Sequence, residues 1–119
     1  MSDKYASPKN SVKVIRNLDA KSFMEGAEYC KLYIKNEAIV FGVSILHPGQ
    51  RGEIDPGHEN ACEVFYVADG KVVCYIPGEN IYEELNEGDL IFIPPKKPHQ
   101  LFNVGDKIAR IIWAQGNVK

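Results

Sequence analysis

Two histidines and one glutamate stand out in this sequence, because their side chains are common metal ligands and each lies beside a strand-like segment. His58 and Glu63 are separated by four residues, and His99 directly precedes a later apolar segment. Imidazole nitrogen and carboxylate oxygen suit Zn, Fe, Ni or Mn, and this ligand set leaves coordination positions open for water or substrate. These residue types make His58, Glu63 and His99 candidate ligands of a divalent metal ion.

The segments that must position these residues are short, and they are rich in β-branched and aromatic side chains. They alternate with turn residues and show no sustained helical period, which indicates an all-β sandwich or barrel. They include YCKLYIKN at 29–36, AIVFGVSIL at 38–46, EVFYVADG at 63–70 and KIARIIWAQG at 107–116. Residues 18–26 are the one helical candidate, with Asp19 as a cap and Gly26 at the end.

Alternation along a strand places Glu63 on the same face as Phe65 and Val67, and Tyr66 on the opposite face. If the first face lines the interior, the Glu63 carboxylate is buried, and a cation, a hydrogen-bond donor or a bound proton must compensate its charge. The large apolar side chains are expected in the core: Phe41, Phe65, Cys74, Phe92, Phe102 and Trp113.

The segment DPGHENACEVFYVADG contains two of the candidate ligands and a glycine at defined spacings. Glu63 follows His58 after four residues, and Gly70 follows Glu63 after six. This pattern resembles the first motif of the cupin superfamily, in which two histidines separated by one residue precede a glutamate and then a glycine. Pro56 stands where that family has its first histidine.

The second segment matches the second cupin motif more fully. Gly88 is followed after five residues by Pro94, and His99 is followed after three by Asn103. The departure is Lys96, at a position where the family has glycine. The resemblance covers roughly residues 38–115. It implies a jelly-roll barrel, with a single cupin domain at 13–119 and a flexible arm at 1–12.

The resemblance implies His58, Glu63 and His99 as metal ligands, but it leaves the complete ligand set open. A cupin with all its ligands has three histidines and a glutamate, so the site here is weaker, selective for a different metal, or empty. Asp55 is a candidate for an extra oxygen if its turn points inward, whereas His47, before Pro48, is expected to be solvated.

Three functions follow from the resemblance. The first is a metal-dependent enzyme acting on a small organic acid or a sugar-derived molecule, as an oxygenase, isomerase, decarboxylase or hydrolase. The second is a non-catalytic cupin that binds a small ligand, and the third is a metal-free isomerase or epimerase with His58 or His99 as acid or base. Small cupins commonly form dimers, and the segment before residue 38 could add a strand to a neighbour's sheet, so we expect a homodimer.

Composition narrows the partners and the location. The 119 residues carry a net charge of -2 without a basic cluster, which argues against binding to nucleic acid or to an anionic membrane. No apolar run approaches the ~20 residues of a membrane-spanning helix. The polar N-terminal residues do not resemble a secretory signal, so a cytoplasmic location is expected. The three cysteines form no CxxC pair and are predicted to be free thiols.

Overall fold

Residues 12–117 are the part of the chain that the computed structural model describes, and they form nine β-strands and one short 3₁₀ helix. The predicted arm at 1–12 falls outside this range except for its last residue. Within the range, no helix is both long and apolar enough to cross a membrane. The elements in chain order are the 3₁₀ helix Asn17–Asp19, β1 (Lys21–Glu25), β2 (Glu28–Lys35), β3 (Ile39–Leu46), β4 (Ala61–Asp69), β5 (Val72–Ile76), β6 (Ile81–Leu85), β7 (Leu90–Ile93), β8 (Gln100–Asn103) and β9 (Ala109–Asn117).

The strands form two antiparallel sheets, which confirms the all-β prediction. The larger sheet has the order β1-β2-β3-β9-β4-β7, and the smaller has the order β6-β5-β8. Strand β9, from the end of the described chain, lies between β3 and β4 and pairs with both. Strands that are distant in sequence are therefore neighbours, and this brings the two motif segments to one cavity.

The core forms where the alternating inner faces of the strands meet. On β4, Glu63, Phe65 and Val67 are buried while Tyr66 is 40% exposed, as the alternation predicted. Cys74 and Trp113 are also buried, but the prediction for Phe92 is wrong, since 57% of this side chain is exposed. Phe92 lies opposite Val64 on the outward face of β4, and directly paired residues share a face of the sheet.

The predicted helix at 18–26 is also wrong. Only Asn17–Asp19 is helical, as one 3₁₀ turn, and Lys21–Glu25 forms β1. β1 pairs with β2 along its whole length, with Phe23 opposite Cys30, so cross-strand pairing overrides the weak local helix signal. Gly26 does end the segment, in a turn with φ of 62°.

Candidate metal centre

The structure brings the three predicted residues together inside one cavity. His58 lies on the loop between β3 and β4, Glu63 on β4, and His99 immediately before β8. The Nε2 atoms of His99 and His58 lie 3.2 Å and 3.6 Å from Oε1 of Glu63. Only 4% of Glu63 and 3% of His99 is exposed. The Asp55 carboxylate also points at the two histidines. We call the four residues Asp55, His58, Glu63 and His99 the histidine site.

Three atoms at the centre of this site have no hydrogen-bond partner among the described residues. They are His58 Nε2, Glu63 Oε1 and His99 Nε2, and all three are buried. Buried polar atoms are almost always paired, so three unpaired atoms facing one another suggest a missing partner. Two ligand atoms each about 2.1 Å from one ion lie within about 4.2 Å of each other. The two separations measured from Glu63 Oε1 satisfy this limit, and Asp55, His58 and Glu63 form a group of mutually close ligand atoms, so Glu63 can share an ion with either histidine.

Neighbouring groups orient the ligands. Nδ1 of His99 lies 2.9 Å from the Lys97 carbonyl oxygen, which can only accept, so Nδ1 carries the proton and Nε2 of the neutral ring keeps its lone pair. Nε2 of Gln115 donates to Oε2 of Glu63 at 3.2 Å, which leaves Oε1 directed at the histidines. The Phe65 ring lies 5.3 Å from the His99 ring and restricts its rotation.

The electrostatics of His99 reflect two opposing effects. Burial lowers the pKa of His99, but the Glu63 carboxylate, the Lys97 carbonyl and Asp55 together outweigh burial and raise its pKa above the ordinary value. Protonated His99 is thereby paired with Glu63. A metal ion and a proton compete for the same Nε2 lone pair, so metal binding at this site must release a proton at acidic pH.

Backbone bonds join the two loops that carry the site. Asp55 and His99 form an antiparallel bridge in which each N–H donates to the other's carbonyl, at 2.8 Å and 2.9 Å. The Lys96 N–H donates to the His58 carbonyl at 2.7 Å. Lys96, which replaces the motif glycine, has φ of 65°, a left-handed conformation that a lysine adopts only at a cost. The family's glycine was the sequence signal for this strained turn.

The two residues that the sequence left undecided lie in different places. Oδ2 of Asp55 is 3.7 Å from His99 Nε2 and 3.9 Å from His58 Nε2, so its turn does point inward. His47 is exposed after the end of β3 and does not line the cavity, in agreement with the expectation that it is solvated.

The cavity has a volume of about 520 Å³, within the usual range for small-molecule sites. Apolar walls come from Phe23, Leu32, Val40, Phe65, Leu101 and Trp113. Its charged lining is predominantly acidic. One lysine, Lys35, lines the cavity together with five carboxylates: Glu25, Glu28, Glu53, Asp55 and Glu63.

A second cluster borders the same cavity, and sequence reasoning missed it. Glu25, Glu28 and Cys30, which we call the acidic arm, each place a potential ligand atom within 4.8 Å of the others. Glu28 is only 7% exposed, and burial raises its pKa to about 7. Burial likewise raises the pKa of the Cys30 thiol. The only sequence signal was the shared face of Glu28 and Cys30, two residues apart on a strand.

Comparison with known proteins identifies the architecture. The Cupin_2 family, described as a cupin domain, matches residues 42–115. A Cupin 2 conserved barrel domain protein from Salinispora arenicola superposes with a TM-score of 0.72 at 15% identity, covering 91% of each chain. A structure described as a predicted oxalate decarboxylase from Thermotoga maritima superposes with a TM-score of 0.70 at 17% identity, covering 89% of this chain and 100% of the other. At these identities the similarity establishes the jelly-roll fold alone.

One curated relative shares sequence with part of the chain. It is the uncharacterized protein MJ1618 of Methanocaldococcus jannaschii, which is 33% identical over 55 residues. That match spans 46% of this chain and 42% of the relative, less than half the length of either protein.

Proposed function

The chain belongs to the Cupin_2 family of cupin domains, and on this premise we propose that it binds a divalent metal ion and uses it to act on a small molecule in the cavity. The proposed ligands are His58, Glu63 and His99. One observation supports this above all others: the buried Nε2 atoms of His58 and His99 lie 3.6 Å and 3.2 Å from the buried Oε1 of Glu63, and none of these three atoms has a hydrogen-bond partner among the described residues.

The protein's own groups prepare the site for such chemistry. Fe, Mn, Ni and Zn all suit this ligand set, and the bound ion would act as a Lewis acid toward a substrate oxygen or water. Glu63 supplies negative charge in a buried place, and Gln115 holds its orientation. The Lys97 carbonyl fixes the His99 tautomer so that Nε2 is ready to coordinate without a preceding proton shift.

The cavity lining supports one of the two substrate classes that the sequence left open. Beyond Glu63 and Asp55, the carboxylates of Glu25, Glu28 and Glu53 line the cavity against the one ammonium group of Lys35. Those carboxylates that are ionised would repel a free organic acid, whereas the hydroxyls of a sugar-derived molecule can donate hydrogen bonds to the carboxyl oxygens. We therefore propose an uncharged, polyhydroxylated substrate of the sugar-derived class.

Metal titration of chelator-stripped, untagged protein tests the proposal. Wild type is titrated calorimetrically with Mn²⁺, Fe²⁺, Ni²⁺ and Zn²⁺, alongside His99→Ala and His47→Ala. His47→Ala is the matched control, since it also removes an imidazole but lies outside the cavity. We expect wild type and His47→Ala to bind one equivalent of at least one metal. His99→Ala should lose more than about 100-fold in affinity, since even outer-shell changes cost about 10- to 100-fold.

The proposal fails if stripped wild type binds none of the four ions, or if His47→Ala weakens binding as much as His99→Ala. Circular dichroism and thermal unfolding in EDTA establish that each variant is folded before titration. A screen of sugar-derived and carboxylic ligands by thermal shift on the metal-loaded protein then tests the substrate class. Stabilisation by acids alone would contradict that part.

We also propose that the protein forms a homodimer. The segment before residue 38 supplies β1 and β2 to the chain's own sheet, and β1 is an edge strand that pairs only with β2 among the described strands. Within residues 12–117 no strand pairs with its other edge, and Met24 of this strand is exposed. Size-exclusion chromatography with light scattering should give twice the mass of one chain, and a monomeric mass would contradict the proposal.

A further inference from the structure

Asp55, which directly precedes Pro56, directs its carboxylate at the two histidines of the site. Its Oδ2 atom lies 3.7 Å from His99 Nε2 and 3.9 Å from His58 Nε2. Asp55, His58 and Glu63 each offer one ligand atom within 4.8 Å of the others. The Asp55 carboxylate therefore approaches the same two Nε2 atoms that Glu63 approaches.

Local bonds hold this carboxylate in position. Oδ1 of Asp55 accepts the Gly57 N–H at 2.8 Å, and the Asp55 backbone is bridged to His99 by two hydrogen bonds. One oxygen of the carboxylate is thus committed to its own loop, while Oδ2 is directed toward the imidazoles. A side chain fixed in this way loses little conformational entropy when it coordinates an ion.

Pro56 is part of the reason that Asp55 points inward. Proline restricts the preceding residue to extended conformations and has no N–H of its own. The next free N–H belongs to Gly57, and an aspartate side chain that accepts from the residue two positions later forms an Asx turn. The proline that removes the family's histidine therefore also builds the turn that presents a carboxylate.

We infer that Asp55 is a fourth ligand, which converts the site from three nitrogens and one oxygen to two nitrogens and two oxygens. This inference rests on the proposed metal site and specifies its chemistry. Two carboxylates balance the charge of a divalent ion, and an oxygen-rich set favours harder ions such as Mn²⁺ over softer ones. A site of this composition should bind Mn²⁺ more tightly, relative to Zn²⁺, than a site with three histidines does.

Asp55→Asn is the decisive variant, because its amide oxygen can still accept the Gly57 N–H while the anionic ligand is lost. Glu53→Gln is the matched control, since Glu53 lines the same cavity two residues earlier and its loss removes the same charge. Stripped proteins are titrated with Mn²⁺ and Zn²⁺ and loaded with Co²⁺ for visible absorption. We expect Asp55→Asn to weaken Mn²⁺ binding at least about 10-fold and to change the Co²⁺ spectrum.

Glu53→Gln should leave the Mn²⁺ affinity within about twofold and the Co²⁺ spectrum unchanged, because a charge outside the coordination shell acts only through screened electrostatics. If both variants weaken binding equally and neither alters the spectrum, Asp55 acts only through its charge and the inference is wrong. It is also wrong if Asp55→Asn binds like wild type while His99→Ala does not, an outcome that leaves the proposed function intact. If wild type binds no ion, the proposed function itself fails. Asp55→Ser, which can also accept from Gly57, repeats the test should Asp55→Asn not fold.

Discussion

The histidine site and the acidic arm line the same cavity, and each contains a buried carboxylate. The two clusters differ in how the unfavourable free energy of burying that carboxylate is compensated. In the histidine site, Glu63 faces two imidazoles whose Nε2 atoms accept or donate no hydrogen bond among the described residues. In the acidic arm, Glu28 has Glu25, Cys30 and Ser44 as neighbours, and burial raises its pKa to about 7. The first cluster presents the donors of the proposed metal site, whereas in the second burial favours the protonated form of Glu28.

The two clusters also differ in what holds them. Glu25, Glu28 and Cys30 lie at the ends of β1 and β2 or within them, so the sheet fixes their spacing. Asp55, His58 and His99 lie on loops. There, individual backbone hydrogen bonds and left-handed backbone conformations take the place of continuous strand pairing. Acidic residues close to one another are therefore poor evidence for a metal site. Unpartnered nitrogens held by dedicated loop contacts are better evidence.

The largest expected effect separates the clusters by metal affinity. Glu63→Gln should weaken binding of Mn²⁺ or Zn²⁺ more than about 100-fold, because a direct ligand matters more than an outer-shell partner. Glu28→Gln removes an equally buried carboxylate from the same cavity and should leave affinity within about threefold, since its effect is only electrostatic. Isothermal titration calorimetry on stripped protein measures both. Equal losses in the two variants would make the acidic arm part of the metal site.

The second prediction concerns stability against pH, in EDTA. Glu28 has a pKa of about 7 in the folded chain against an ordinary 4.5, so between these values the folded state binds more protons and stability falls as pH rises. Each tenfold change in proton affinity corresponds to about 1.4 kcal/mol, so the loss approaches about 3 kcal/mol above the folded pKa. Glu28→Gln should remove this loss, becoming more stable than wild type at about pH 8 but not at about pH 4.

Urea unfolding at a series of pH values measures the difference between wild type and Glu28→Gln. Glu84→Gln is the control, because Glu84 is an exposed glutamate on β6. A difference between wild type and Glu28→Gln that stays constant with pH would show that folding does not raise the pKa of Glu28, and the contrast between the clusters would lose its basis.

A third prediction tests whether loop geometry holds the histidine site. An added Cβ at Gly57, where φ is 90°, would lie 2.7 Å from the Lys97 N and 2.8 Å from its carbonyl oxygen. Gly88 has nearly the same φ, 89°, with nothing within 4 Å. Gly57→Ala should therefore cost about 2 kcal/mol of stability and Gly88→Ala about 1, the difference arising from the backbone contact.

Metal affinity should fall at least about 10-fold in Gly57→Ala, because the displaced loop carries His58 and Asp55. Gly88→Ala should keep wild-type affinity. Chemical unfolding in EDTA and calorimetric titration measure the two quantities separately. If Gly57→Ala binds metal as wild type does, the loop contacts do not determine the site.

The features of the histidine site that depend on local sequence patterns could be predicted from the sequence alone. The alternation in β4 placed Glu63, Phe65 and Val67 on one buried face, because side chains on a strand alternate whatever the strand pairs with. The convergence of His58 and His99 was expected from the two motifs. Whether these residues bind metal stays a prediction, because the proximity of the side chains does not show that an ion is bound.

The rest depended on pairing between distant segments, which a single sequence does not specify. Residues 18–26 were predicted to be helical, but Lys21–Glu25 pairs with β2 as a strand. Phe92 was predicted to be in the core, but its pairing with Val64 of β4 places it on the outward face of the sheet. The acidic arm follows from the same β1–β2 hairpin, so the error about the helix and the missed cluster have one cause. The inward turn of Asp55 was left open because a turn's direction depends on the His99 bridge.

The smallest effect concerns Lys96, whose N–H holds the His58 carbonyl while its own backbone is left-handed. A residue with a Cβ in this conformation costs about 1 to 2 kcal/mol, partly offset because glycine loses more entropy on folding. Lys96→Gly should therefore unfold at higher urea concentration than Lys96→Ala, by about 1 kcal/mol, since both variants lose the lysine side chain and only one keeps the Cβ. Metal affinity should match in the two variants, because the N–H that anchors His58 remains in both. Equal stabilities would show that the turn relaxes without glycine. The loop of the histidine site would then carry no backbone strain, and in this respect it would not differ from the acidic arm.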